Sequence, residues 1–187
     1  MEATDKRTAI LKAALELFAE NGFHGAPTSL LAEKAGVGVG TIYRYFKDKD
    51  QLIRELYREL HDDAKTKVFT ESTSGLPIPE RYLRMSSRLL RFFLENPAEF
   101  RFLEQYYFSP YYSEDACEAP EEYETLQQLL LKGQTEQIIK DAPMEVLLAL
   151  TFGPLSSLAR ESIYRNLKVD EDMIRQVVQA SWDGLKR

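Results

Sequence analysis

Residues 35–52 read AGVGVGTIYRYFKDKDQL, and the meaning of their three alternating glycines decides the fold. Gly36, Gly38 and Gly40 are separated by valines and run straight into an aromatic cluster. They could form a loop that cradles phosphates, or the turn of a helix-turn-helix. A phosphate loop follows a buried strand and opens a long helix, so that backbone N–H groups and the helix N-terminus meet the ligand. Here the preceding stretch, TSLLAEKA, has a helical pattern. The spacing G-x-G-x-G matches neither phosphate-loop signature, and no lysine follows the last glycine at the required place. A short helix, a tight turn with Gly36 free to take positive φ, and a second short helix fit the surroundings better. That arrangement aims its second helix at a DNA major groove.

Inside the second helix, Ile42 and Phe46 lie four apart and are expected to anchor it inward. Gly40 carries no side chain to hold a phosphate off. Thr41, Tyr43, Arg44 and Tyr45 offer hydroxyls, one guanidinium and aromatic faces within two turns, a mixture that contacts phosphates and base edges. For Tyr43 and Tyr45 packing and exposure both stay open.

The pattern extends in both directions as helix. Asp5 is placed to cap a first helix whose Ile10, Ala14, Leu17 and Phe18 share a face and which stops at Asn21-Gly22. A second runs from Thr28 or Ser29 through Lys34, and a third from about Val39 to Phe46. Asp48, with Gln51 three residues on, resembles a capping box for a long fourth helix carrying Leu52, Ile53, Leu56, Tyr57 and Leu60. STSGLPIPE, residues 72–80, breaks the pattern with serines, a glycine and two prolines. Helical periodicity resumes with Leu83, Leu89, Leu90, Phe93 and Leu94, restarts at Asn96-Pro97, and returns at about 121–140, 143–166 and 170–185. The expected fold is all-α, with a domain at 1–50, a linking helix at about 49–70 and a larger helical domain at 51–187.

Composition narrows the function. The net charge of −6 is unusual for a nucleic-acid binder, but residues 1–60 hold 9 basic and 9 acidic side chains, leaving 15 against 21 for the remainder. A neutral N-terminal module can still set local positive charge against phosphate. The single cysteine, Cys117, forms no intramolecular disulfide, and no apolar run reaches the roughly 20 residues of a membrane span, so the cytoplasm is the expected compartment. Cys117 lies in an acidic stretch whose carboxylates oppose thiolate formation. With two histidines, His24 and His61, both near the N-terminus, no catalytic triad or metal cluster can be assembled. Neither enzyme activity nor any cofactor or metal is expected.

From Ala14 to Leu52 the chain resembles the DNA-binding domain of the TetR family of bacterial transcriptional regulators. The resemblance is carried by Leu17-Phe18, Gly22, Thr28 and then LLAEKAGVGVGTIYRYFKDKDQL, with Ala35, Gly36, Val37, Gly40, Tyr43, Phe46, Lys49 and Leu52 in order. Two positions depart from the family pattern: Gly38 stands where serine is common, removing an oxygen cap, and Leu31 replaces isoleucine. The resemblance implies about nine helices, a homodimer formed by the last two, and a ligand cavity in the C-terminal domain. By position it also implies DNA contacts at Thr28, Ser29, Val39, Gly40, Thr41, Tyr43, Arg44, Tyr45 and Lys49, with Lys49 reaching a phosphate.

The function it implies is a ligand-responsive repressor that binds a palindromic operator as a dimer and is released by a hydrophobic or aromatic small molecule. A DNA-binding structural, chromosome-associated protein without effector is the alternative. Ten of the 21 aromatic residues lie between 92 and 123, and tyrosine supplies both the apolar surface and the polar groups of a ligand site. Phe92, Phe93, Phe102, Tyr106, Tyr107, Tyr111, Tyr123 and Phe152 are therefore the expected ligand contacts, with simple core packing as the competing reading. Leu150, Ser157, Leu158, Ile174, Val178 and Trp182 are the expected dimer contacts, although the same stripe would serve a monomer's own core.

Overall fold

The computed structural model describes residues 3–69, 75–112 and 125–187. Among these residues nine α-helices follow one another: α1 (Ala3–Asn21), α2 (Thr28–Lys34), α3 (Val39–Tyr45), α4 (Lys49–Phe69), α5 (Ile78–Glu95), α6 (Pro97–Tyr107), α7 (Leu126–Thr135), α8 (Met144–Arg165) and α9 (Glu171–Leu185). The all-α expectation holds, and the helix limits move by a few residues. Asp5 lies in the first turn of α1 instead of capping it. Helix α5 starts at Ile78, inside the expected break, because Pro79 in a first turn gives up an N–H that has no intrahelical partner there. Tyr123 and Cys117 lie outside the described residues.

Packing divides the described chain into two compact units that differ from the expected split at residue 50. One comprises residues up to 63 together with 96–112, and the other comprises 64–95 and 125–187. In the first, α1, α2, α3 and the start of α4 enclose Ile10, Ala14, Phe18, Leu31, Ile42, Phe46, Leu52 and Ile53. Helix α6 completes this core. Phe102 and Tyr106 are fully buried in it, with Tyr106 stacked on Tyr57 at 3.9 Å and Phe102 edge-on to Phe23 at 5.6 Å. These two aromatics, expected to contact a ligand, are thus core residues of the N-terminal unit. Tyr111 joins the same cluster, edge-on to Phe23 at 5.6 Å. Its hydroxyl donates to Asp50 Oδ1 at 3.1 Å.

The second unit is built on α5, which buries Tyr82, Met85, Ser86, Leu89, Leu90, Phe92 and Phe93. Helix α8 turns Leu147, Thr151, Leu155 and Ala159, spaced by four, toward the core. Helix α9, capped by the Asp170 side chain on the Met173 N–H at 2.9 Å, contributes Ile174, Val178, Ser181, Trp182 and Leu185. The Ser181 hydroxyl donates to the Leu150 carbonyl at 2.8 Å and is itself bonded to the Tyr82 hydroxyl, so these two buried hydroxyls are satisfied where α5, α8 and α9 meet.

The expected dimer contacts divide between this core and the surface. Ile174, Val178 and Trp182 are buried within the chain's own second unit. Leu158 is half-buried, and only Leu150 and Ser157 are exposed.

Candidate nucleic-acid interface

Helix α2 ends on a left-handed residue, Gly36, at φ +65°. The Val37 N–H donates to the Ala32 carbonyl at 3.0 Å and the Gly36 N–H to the Glu33 carbonyl at 3.1 Å, the paired bonds of a Schellman motif. Only glycine takes this φ without a Cβ penalty, so the turn between the two short helices is fixed by one residue. Gly38 then opens α3 in an extended conformation, φ −73° and ψ 149°, without a side-chain cap, as its lack of an oxygen requires.

Helix α3 is split by its own periodicity. Ile42 and Phe46 are 2% and 1% exposed, and on the other side Val39 and Tyr43 are 40% and 52% exposed. Arg44 is exposed, and Gly40 has open space where a Cβ would be. Thr41 is half-buried, as is Tyr45, whose ring lies 6.5 Å from Phe46 and leans toward the core. On α2, Ser29 is exposed and Thr28 half-buried. Val39, Gly40, Tyr43 and Arg44 therefore share an outward surface on a helix held by its opposite side.

Charge is distributed in a way that composition conceals. Arg7 is paired with Glu55 at 3.0 Å and with Glu59, and its guanidinium lies 5.6 Å from the Phe46 ring. The bond to Glu59 is the main reason its pKa is raised. Lys34 is paired with Glu16 at 2.9 Å, which raises its pKa. Arg44 and Lys47 are exposed and make no ion pair among the described residues. The neutral module thus ties part of its positive charge to internal carboxylates and leaves bare cations in and just after α3. Lys47 was not anticipated as a contact.

Lys49 departs from expectation. Its ammonium donates to the Phe23 carbonyl at 2.6 Å and to the Ala26 carbonyl, and lies 5.6 Å from the Phe18 ring. Burial pushes its pKa down. A side chain committed to two backbone oxygens is turned inward, away from the phosphate expected of it. Next to it, the Gln51 N–H donates to Asp48 Oδ1 at 2.7 Å, while the Gln51 side chain accepts from the Lys47 N–H at 2.7 Å, one residue earlier than a strict capping box.

The described residues among the expected ligand contacts belong to both units. Phe102, Tyr106 and Tyr111 belong to the first unit, and Tyr107 is exposed beside Phe108 and Tyr112. Phe92 and Phe93 are buried in the second unit, with Lys67 Nζ 5.6 Å from the Phe92 ring, and Phe152 is exposed. Among the described residues no group of three or more His, Cys, Asp or Glu side chains could hold a metal. No described helix is long and apolar enough to cross a membrane.

Residues 10–56 match the family model described as bacterial regulatory proteins, tetR family, and residues 77–186 match a tetracyclin repressor-like C-terminal domain. An uncharacterized HTH-type transcriptional regulator of Haemophilus influenzae is 23% identical over 184 residues, 98% of this chain and 97% of that protein. The fatty acid metabolism regulator protein of Bacillus subtilis is 35% identical over 85 residues, covering 41% of this chain and 44% of that protein. A TetR family transcription regulator from Marinobacter aquaeolei VT8 has a similar solved structure, with a TM-score of 0.85 and 22% identity over 98% of this chain and 96% of that one.

Proposed function

Because the chain belongs to the TetR family of bacterial regulatory proteins, we propose that it represses transcription as a DNA-bound homodimer released by a hydrophobic or aromatic small molecule. The observation that carries the reading is α3 itself: Ile42 and Phe46 fix it from within while Val39, Gly40, Tyr43 and Arg44 face outward. A guanidinium fork suits the two acceptors of guanine, an exposed valine suits a thymine methyl, and Gly40 lets the backbone approach a phosphate. Ser29 and Lys47 add backbone contacts from either side. We assign phosphate contact to Lys47 in place of Lys49.

Dimerisation is supported by unburied stripes on the last two helices. On α8, Val146, Leu150, Gly153, Ser157, Arg160 and Tyr164 follow alternating steps of four and three and are all exposed. On α9, Met173, Val177, Ala180 and Gly184 repeat the same steps and are exposed or half-buried. The small residues Gly153 and Ser157 on α8 and Ala180 and Gly184 on α9 favour close helix approach. A twofold dimer reads two half-sites, and a lone helix-turn-helix buries too little surface for specific affinity.

For the effector we favour an apolar molecule bound in the second unit beside α5, where Phe92 and Phe93 supply aromatic surface. Ligand binding acts by favouring one of two dimer shapes that differ in operator affinity. Selection of random duplex DNA on the purified chain, at a stated salt concentration, tests the proposal. An enriched palindrome is expected, and a folded, dimeric protein that enriches no sequence would overturn it.

A further inference from the structure

Lys49 and the carbonyls it holds bracket the helix-turn-helix. Ala26 immediately precedes Pro27 and α2, and Lys49 is the first residue of α4, following the turn after α3. The ammonium therefore joins the two ends of a segment that contains both short helices. Lys49 also keeps the register of the inward side of α4, four residues before Ile53, seven before Leu56 and eleven before Leu60, all buried. Phe23 and Ala26 are buried as well, so their inward carbonyls gain a donor that the local backbone does not supply.

We propose that Lys49 is a positioning residue for DNA recognition: its ammonium closes the α2–turn–α3 segment on itself and so fixes the angle at which α3 is presented, without contacting phosphate. The inference rests on the DNA-binding reading above. Two features of the geometry favour this role over a phosphate contact. At least two of the ammonium's three donors are occupied by Phe23 and Ala26. The Phe18 ring lies against the same ammonium, which favours a cation held in place over one that swings outward.

The test uses the full chain and the duplex enriched by selection, with Lys49→Met and Lys49→Arg compared with wild type well below their melting temperatures and over a range of salt. A positioning role predicts that operator affinity falls about tenfold in Lys49→Met, the equivalent of one charge-assisted hydrogen bond, while the slope of log affinity against log salt stays unchanged. Lys49→Arg is expected to fail similarly, because its longer planar fork cannot place one nitrogen between the two carbonyls. A salt slope reduced by about 0.9 in Lys49→Met, with Lys49→Arg restoring affinity, would identify a phosphate contact and overturn the proposal. A lowered melting temperature with unchanged operator affinity of the folded protein would also overturn it, leaving Lys49 a stabilising residue only. If wild type itself selects no operator, the DNA-binding reading fails and the positioning role fails with it.

Discussion

Helices α3 and α9 both carry apolar residues at helical spacing, but they place them differently. In α3 and the residue that ends it, Ile42 and Phe46 face in while Val39 and Tyr43, spaced by the same four residues, face out. In α9 Ile174, Val178, Trp182 and Leu185 face in, and the less covered side carries Met173, Val177 and then the small Ala180 and Gly184. On the DNA-binding reading, Val39 and Tyr43 stay outside on this seven-residue helix because base edges meet them there. The small residues outside on α9 point instead to close approach by another helix.

The strongest way to break this contrast is to truncate matched residues on the two sides of α3. Phe46→Ala is expected to destabilise the first unit by about 3–5 kcal/mol through the cavity it leaves. Tyr43→Ala should leave stability within about 0.5 kcal/mol and weaken DNA binding. Urea denaturation with binding titration checks both, and comparable stability losses would erase the distinction between inner and outer sides.

Next in size is the α8 stripe. Gly153 has open space around it, and a twofold interface would bring its two copies near each other. Gly153→Arg should therefore weaken dimerisation by several kcal/mol through like-charge juxtaposition, with helical content retained. Sedimentation equilibrium and circular dichroism measure the two quantities. A dimer as tight as wild type would place the interface elsewhere.

Arg44→Ala should relax the preference at one base pair in each half-site at a cost of about 1–3 kcal/mol, read by repeating the selection on the variant. An unchanged preference would remove Arg44 from base readout. The smallest effect belongs to the start of α3. Gly38 sits at φ −73°, which any residue can adopt, so Gly38→Ser should supply the missing oxygen cap and stabilise the fold by a few tenths of a kcal/mol, seen as a slightly raised melting temperature.

Legibility in the sequence followed the range of the interactions involved. The turn at Gly36, the inward Ile42 and Phe46 and the uncapped Gly38 depend on neighbours within a few residues, and the motif announces them. Lys49 shows the limit. Its register with Ile53, Leu56 and Leu60 was visible in the chain, but the carbonyls that hold it lie 23 and 26 residues earlier and become its partners only when the α1–α2 turn folds back. Phe102 and Tyr106 follow the same rule: an aromatic-rich helix reads alike whether it lines a cavity or packs on α1, and only the tertiary partner decides. For α8 and α9 the periodicity was readable, whereas which side each helix turns to its own core depended on α5.

The measurement that bears most directly on the central claim, that the outward side of α3 reads base edges, is photo-crosslinking. The selected duplex would carry 5-iodouracil at successive thymine positions, and the crosslinked residues would be identified by mass spectrometry. The account predicts crosslinks to Tyr43 from major-groove positions repeated symmetrically in the two half-sites, and their loss in Tyr43→Ala. Crosslinks confined to residues outside α2 and α3, with the duplex bound specifically, would contradict it.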